Sequence, residues 1–105
     1  MAGRFLEENG LRILEYNFRM RTGEIDIIAR DGCYYVFVEV KYRKTASAGL
    51  PEEAVDYKKV RKICHVADYY RCTHHFDDSV PVRFDVIAIE GENIRWYKNA
   101  FAYEP

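Results

Sequence analysis

Between residues 12 and 43 apolar and polar side chains alternate with a period of two, and from residue 57 to 70 the period lengthens to three and four. The first region predicts strands and the second a helix. Residues 5–9 read as a short helix closed by Gly10. Residues 12–19 alternate loosely, with Ile13, Glu15 and Asn17 against Leu14, Tyr16 and Phe18. Thr22-Gly23 is a turn. Residues 24–30 form a second, isoleucine-rich strand. Asp31-Gly32 is a hairpin signal, and residues 34–43 are a long β-branched and aromatic strand. These three strands predict an antiparallel meander.

Residues 44–50 are small and polar and are expected to form a mobile loop. Pro51 suits the first turn of a helix, with Glu52 and Glu53 beside its positive end. That helix is expected to run to about Arg71, with Tyr57, Val60, Ile63, Cys64, Ala67 and Tyr70 as its buried stripe. Lys58, Lys59, Arg61, Lys62 and His65 lie mostly off the stripe. Residues 80–90 read as a fourth strand, with Phe84, Val86 and Ala88 on one face and Asp85, Ile87 and Ile89 on the other. After a turn at residues 90–93, residues 94–101 form a fifth. The order α-β-β-β-α-β-β predicts an α/β fold with a mixed central sheet of about five strands flanked by helices. The helix between strands three and four predicts that they run parallel, joined by a right-handed crossover.

The 105 residues match one domain, and 49% hydrophobic with 31% charged residues is a globular mixture. No apolar run approaches the roughly 20 residues of a membrane span. Residues 1–10 lack an apolar h-region, so neither a signal peptide nor a membrane partner is expected. Three cysteines at irregular spacing predict no disulfide framework and a reducing, cytoplasmic location. The net charge of −1 argues against a uniformly basic nucleic-acid binder. Residues 41–62, however, hold seven basic and three acidic groups, including Lys41, Arg43, Lys44, Lys58, Lys59, Arg61 and Lys62. Such a stripe can attract a polyanion, or it can be a solvated helix face.

Charge also appears where burial is expected. Glu24 and Asp26 share a face of strand two, and Glu39 and Lys41 share a face of strand three. The Asp31-Gly32 hairpin puts these strands side by side. If the charged faces coincide, two or three carboxylates and an ammonium meet. Buried charge is costly unless paired or bound to metal, and a carboxylate excess calls for a cation. Hard oxygen donors suit Mg²⁺ or Mn²⁺, with Lys41 beside the reacting water or phosphate. The alternative is a structural ion pair between Lys41 and Glu39 or Asp26.

Asp26 followed by Glu39-Val40-Lys41 resembles the D…(D/E)-x-K signature of the restriction-endonuclease-like superfamily. Asn17-Phe-Arg19, Gly23-Glu-Ile-Asp-Ile-Ile-Ala29, Val36-Phe-Val-Glu-Val-Lys-Tyr-Arg43 and Arg83-Phe-Asp-Val-Ile-Ala88 resemble the uncharacterised bacterial YraN-like family over nearly the whole chain. That family is similar to archaeal Holliday junction resolvases and the tRNA-endonuclease-like domain. The resemblance implies a three-layer fold, with Asp26, Glu39 and the Val40 carbonyl as metal ligands. It implies Lys41 as the catalytic lysine and Glu24 as a supporting acid. It also implies metal-dependent hydrolysis of phosphodiester bonds, with branched DNA the favoured substrate, RNA left open and a homodimer expected. Arg43, Lys44, Lys58, Lys59, Arg61 and Lys62 would contact the nucleic acid. The chain departs from the pattern at one point. The Gly-Glu pair that precedes the alanine matched by Ala2 would fall before Met1.

The other polar groups carry less. Cys72, His74, His75, Asp77 and Asp78 match no zinc spacing. Arg83 and Asp85 share a strand face, as an ion pair or at the rim of the site. Trp96 is expected to pack, or to stack on a base near a sheet edge.

Overall fold

A computed structural model describes residues 1–43 and 57–103, with the Arg43 side chain left aside. The elements are α1 (Ala2–Glu8), β1 (Arg12–Met20), β2 (Gly23–Asp31), β3 (Tyr34–Arg43), α2 (Tyr57–Thr73), β4 (Val82–Glu90) and β5 (Asn93–Phe101). They form one five-stranded sheet in the order β1-β2-β3-β4-β5. Every pairing is antiparallel except β3 with β4, which the segment containing α2 connects in parallel. This is the α/β order that the period changes predict. Lys44, the expected loop at 44–50 and the helix start at Pro51 lie outside the described residues.

The sheet separates two apolar layers. On one face α2 brings Val60, Ile63, Cys64, Val66, Ala67 and Tyr70 against Ile25, Ile28, Phe37, Phe84 and Val86. On the other, Ala2, Leu6 and Leu11 cover Ile27, Ala29, Val36, Val38, Ile87 and Ile89. Strands β3 and β4 therefore carry apolar side chains on both faces, as central strands do. The helix stripe differs from expectation at its first position and in its middle. Tyr57 is 61% exposed, while Val66 is fully buried. Val66 lies three positions beyond Ile63 and continues its row one turn on. The first helix starts at Ala2, earlier than expected, because Ala2 and Leu6 pack as an i,i+4 pair onto the sheet.

Irregularities in β1 shape the sheet beside Asp26. The β1–β2 register shifts between Ile13 and Glu15. Asn17 then takes a left-handed backbone at φ 52, between the pairs Tyr16↔Ile27 and Phe18↔Ile25. Asparagine is among the few non-glycine residues that enter this region readily. Alternation slips here: Ile27 packs on the α1 side, yet Ile25 packs in the α2 core. Asp26 lies between them, opposite Asn17.

Candidate active site

The β2–β3 ladder runs from Asp31↔Tyr34 to Ile27↔Val38 and stops. In the next position Asp26 replaces a backbone partner, its Oδ2 accepting from the Val40 N–H at 2.8 Å. The notch is made by the strands parting, and its two sides carry Asp26 and Glu39. Asp26 borders cavities on both faces of the sheet. One, about 320 Å³, is lined on the α2 side by Gly23, Glu24, Asp26, Glu39, Lys59 and Lys62 together with Ile63. The other, about 250 Å³, includes Gly3, Tyr16, Asn17, Asp26, Val40 and Tyr42.

Glu39 is 7% exposed, in a sheet position otherwise filled by apolar side chains. Burial pushes its pKa up, and the neighbouring Asp26 adds charge repulsion and a hydrogen bond to the protonated form. Lys59 and Lys41 oppose this, and the result is about 7. Two crowded carboxylates cannot both ionise at low cost. Lys59 Nζ lies 3.4 Å from Glu39 Oε1. Lys41 is driven below the usual lysine range, first by burial and then by the charge of Lys59, against the pull of Glu39 and Asp26. For Lys59, burial acts downward, but Glu39 and a hydrogen bond with Lys41 outweigh it and raise its pKa. The two lysines thus differ: Lys59 holds its proton beside Glu39, and Lys41 gives its proton up more easily.

Asp26, Glu39 and Lys41 therefore come together as their strand positions predict. Glu24 lines the same cavity and pairs with Arg19 at 2.9 Å. Lys59 belongs to this cluster, whereas the sequence places it with the basic stripe. Its signal was present, since it stands four positions before Ile63 and next to Val60, at the edge of the true buried stripe. Lys58, Arg61 and Lys62 line a wider groove of about 670 Å³ with Arg21, Tyr57 and His65. Lys62 borders both groove and site, so the basic face of α2 reaches the carboxylates. Glu7 and Glu8 are exposed and line neither cavity at the notch.

Of the remaining candidates, Arg83, Asp85, Trp96, His74 and Asp77 have structural partners. Asp85 is fully buried and accepts from Arg83 Nε at 3.1 Å, Trp96 Nε1 at 2.9 Å and the Asn99 N–H at 2.9 Å. Arg83 also reaches Asp31 at 2.8 Å. Arg83 and Asp85 are thus an ion pair that closes the sheet surface and form no part of either notch cavity. Trp96 packs edge-on against Phe5. His74 stacks on Tyr70, and Asp77 accepts from the Ser79 N–H. Among the described residues, no group of three or more His, Cys, Asp or Glu is arranged to hold a metal ion.

Among the described residues, two helices and a five-stranded mixed sheet with an acid–lysine notch define the class of this molecule. The chain belongs to the uncharacterised protein family UPF0102, whose sequence profile matches residues 1–89. It is 49% identical over 100 residues to a UPF0102 protein of Lachnoclostridium phytofermentans, covering 95% of this chain and 85% of that protein. It is 50% identical over 105 residues to one of Syntrophus aciditrophicus, covering 96% and 82%. It is 42% identical over 103 residues to one of Legionella pneumophila, covering 96% and 87%.

Proposed function

We propose that this protein is a metal-dependent endonuclease of the restriction-endonuclease-like superfamily that hydrolyses phosphodiester bonds of DNA. The observation that carries the reading is the meeting of Asp26 and Glu39 with Lys41 and Lys59 where two strands part. The donor set fits a small hard cation. Mg²⁺ and Mn²⁺ take one or two carboxylates and keep several waters, so two acids and the Val40 carbonyl suffice. Such an ion would supply Lewis-acid polarisation of the phosphodiester. A cation held there would favour the ionised form of Glu39, whose pKa is raised to about 7 first by burial and then by the neighbouring Asp26.

The chain's own residues supply the rest. Asp26 is held in place by the Val40 N–H. Lys59 keeps Glu39 oriented and favours its ionised form. Lys41, with its lowered pKa, accepts a proton from the attacking water or stabilises charge on the phosphate. The basic face of α2, which continues from the site through Lys62, supplies backbone contacts. The exposed thiols of Cys33 and Cys72 support a reducing, cytoplasmic location. No helix among the described residues is long and apolar enough to cross a membrane. The test is cleavage of labelled single-stranded and branched DNA with Mn²⁺ or Mg²⁺. The wild type is expected to cut, and Lys41→Met to lose cutting at least a hundredfold while staying folded. Cutting unchanged in Lys41→Met overturns the assignment.

A second reading is a nucleic-acid-binding module with this fold and no turnover. It is favoured by the arrangement of the acids, since among the described residues no three-member group is placed to hold a metal ion. It predicts salt-sensitive binding and no cleavage with any divalent ion.

A further inference from the structure

The α1 side of the notch has a character that hydrolysis does not require. Its cavity holds the side of Asp26 away from the lysines, and two tyrosines border it. Tyr42 is 74% exposed and Tyr16 56% exposed. Tyr42 stands on β3 one residue after Lys41, so alternation turns it to the opposite face. Tyr16 stands on β1 immediately before left-handed Asn17, and its hydroxyl lies over Gly3, where any Cβ would collide with it. Gly3 therefore lets α1 approach closely enough to support the ring from behind. Neither tyrosine belongs to the two apolar cores. Tyr16 packs its hydroxyl end on α1, but both rings are exposed and both border the same cavity beside Asp26.

The two faces of the notch are thus chemically distinct. The α2 face is charged, with Glu24, Asp26 and Glu39 facing Lys59 and Lys62 at the site and the cations Arg61 and Lys58 beyond. The α1 face is aromatic. A nucleic-acid strand has the same division, with phosphates along one side and bases on the other. Base stacking on an aromatic ring requires a base free of its own duplex neighbours, and it tolerates any sequence.

We infer that Tyr16 and Tyr42 form a stacking platform for an unpaired nucleobase next to the scissile phosphate, so that the substrate is single-stranded at the point of cutting. This rests on the nuclease reading and specifies its substrate. The phosphate lies at the Asp26–Glu39 notch with its flanking backbone toward α2, and the adjacent base turns through the notch onto the tyrosines. A base locked in a continuous duplex cannot make this turn without unpairing.

The test is equilibrium binding of fluorescent dT20, U20 and a blunt 20-base-pair duplex in Ca²⁺, which permits binding without requiring turnover. Tyr42→Ala and Tyr16→Ala are each expected to weaken dT20 binding about tenfold, the scale of one lost stack, with little change for duplex. Tyr42→Phe and Tyr16→Phe are expected to bind within about twofold of wild type, because the ring is kept. Tyr42 is the cleaner probe, since Tyr16 also contacts α1. The U20 arm separates DNA from RNA as the source of the base, and a tenfold loss on either strand supports the platform. Alanine variants that bind both single strands like wild type overturn the platform and leave the nuclease reading standing. Equal losses for single strand and duplex also overturn it. A wild type that binds none of the three probes overturns the nuclease reading itself.

Discussion

The Val40 N–H donates to Asp26 Oδ2 at 2.8 Å, at the position where the β2–β3 ladder has just ended. One carboxylate thus satisfies a backbone donor and keeps its other oxygen for the notch. Asp26→Asn retains an acceptor for this N–H and is expected to cost less than about 1 kcal/mol. Asp26→Ala leaves the donor unpaired and is expected to cost about 1–3 kcal/mol. Urea unfolding separates the two. Both variants are expected to lose metal-dependent cutting, so stability and activity part company in Asp26→Asn.

Glu39 sets a pH dependence for the metal-free protein. Its pKa is 4.5 in the unfolded chain and about 7 in the fold, so the folded state binds the extra proton between these values. The stabilisation is fully present below pH 4.5 and is lost as the pH rises through about 7. Glu39→Gln removes this titration. The variant is expected to gain on the order of 1–2 kcal/mol over wild type in going from pH 5 to pH 8. Chemical denaturation at the two pH values, with chelator present, reads the difference directly.

Lys59 favours the ionised form of Glu39 from 3.4 Å away. Lys59→Met is expected to push Glu39 further up and to move the acid limb of the cleavage profile toward alkaline pH by about one unit. Lys59→Arg keeps the charge and is expected to restore the limb in part. A lysine with a purely structural role would change stability without moving the profile.

Asp85 belongs to the fold rather than the chemistry. It is completely buried, and four donors from Arg83, Trp96 and Asn99 converge on it. Asp85→Ala strands the Arg83 charge in a buried setting and is expected to cost about 3–5 kcal/mol. Asp31 still pairs with Arg83, which favours the lower end. Thermal unfolding followed by Trp96 fluorescence measures the loss, and the folded fraction is expected to cut at the wild-type rate.

The meander, the crossover and the convergence of Asp26, Glu39 and Lys41 were legible because period-two alternation fixes which side chains share a strand face. The Asp31-Gly32 hairpin did the rest by setting which strands are neighbours. What escaped depends on tertiary phase. Tyr57 falls outside the helix stripe and Val66 within it because the way α2 packs on the sheet decides which positions are covered. Lys59 joins the site for the same reason, since a helix position meets a strand residue only after packing is known. The slip at Asn17 was not legible either. Nothing in the alternation of residues 12–19 separates a regular strand from one with a left-handed residue opposite Asp26.

The central claim is that Asp26 and Glu39 act together as the seat of one divalent cation, and titration of Mn²⁺ into the chelator-treated protein at pH 8 tests it most directly. Calorimetry is expected to show one site in the wild type, lost or weakened at least tenfold in both Asp26→Asn and Glu39→Gln. A folded wild type that takes up no Mn²⁺, or variants that bind it as tightly as wild type, would contradict the account.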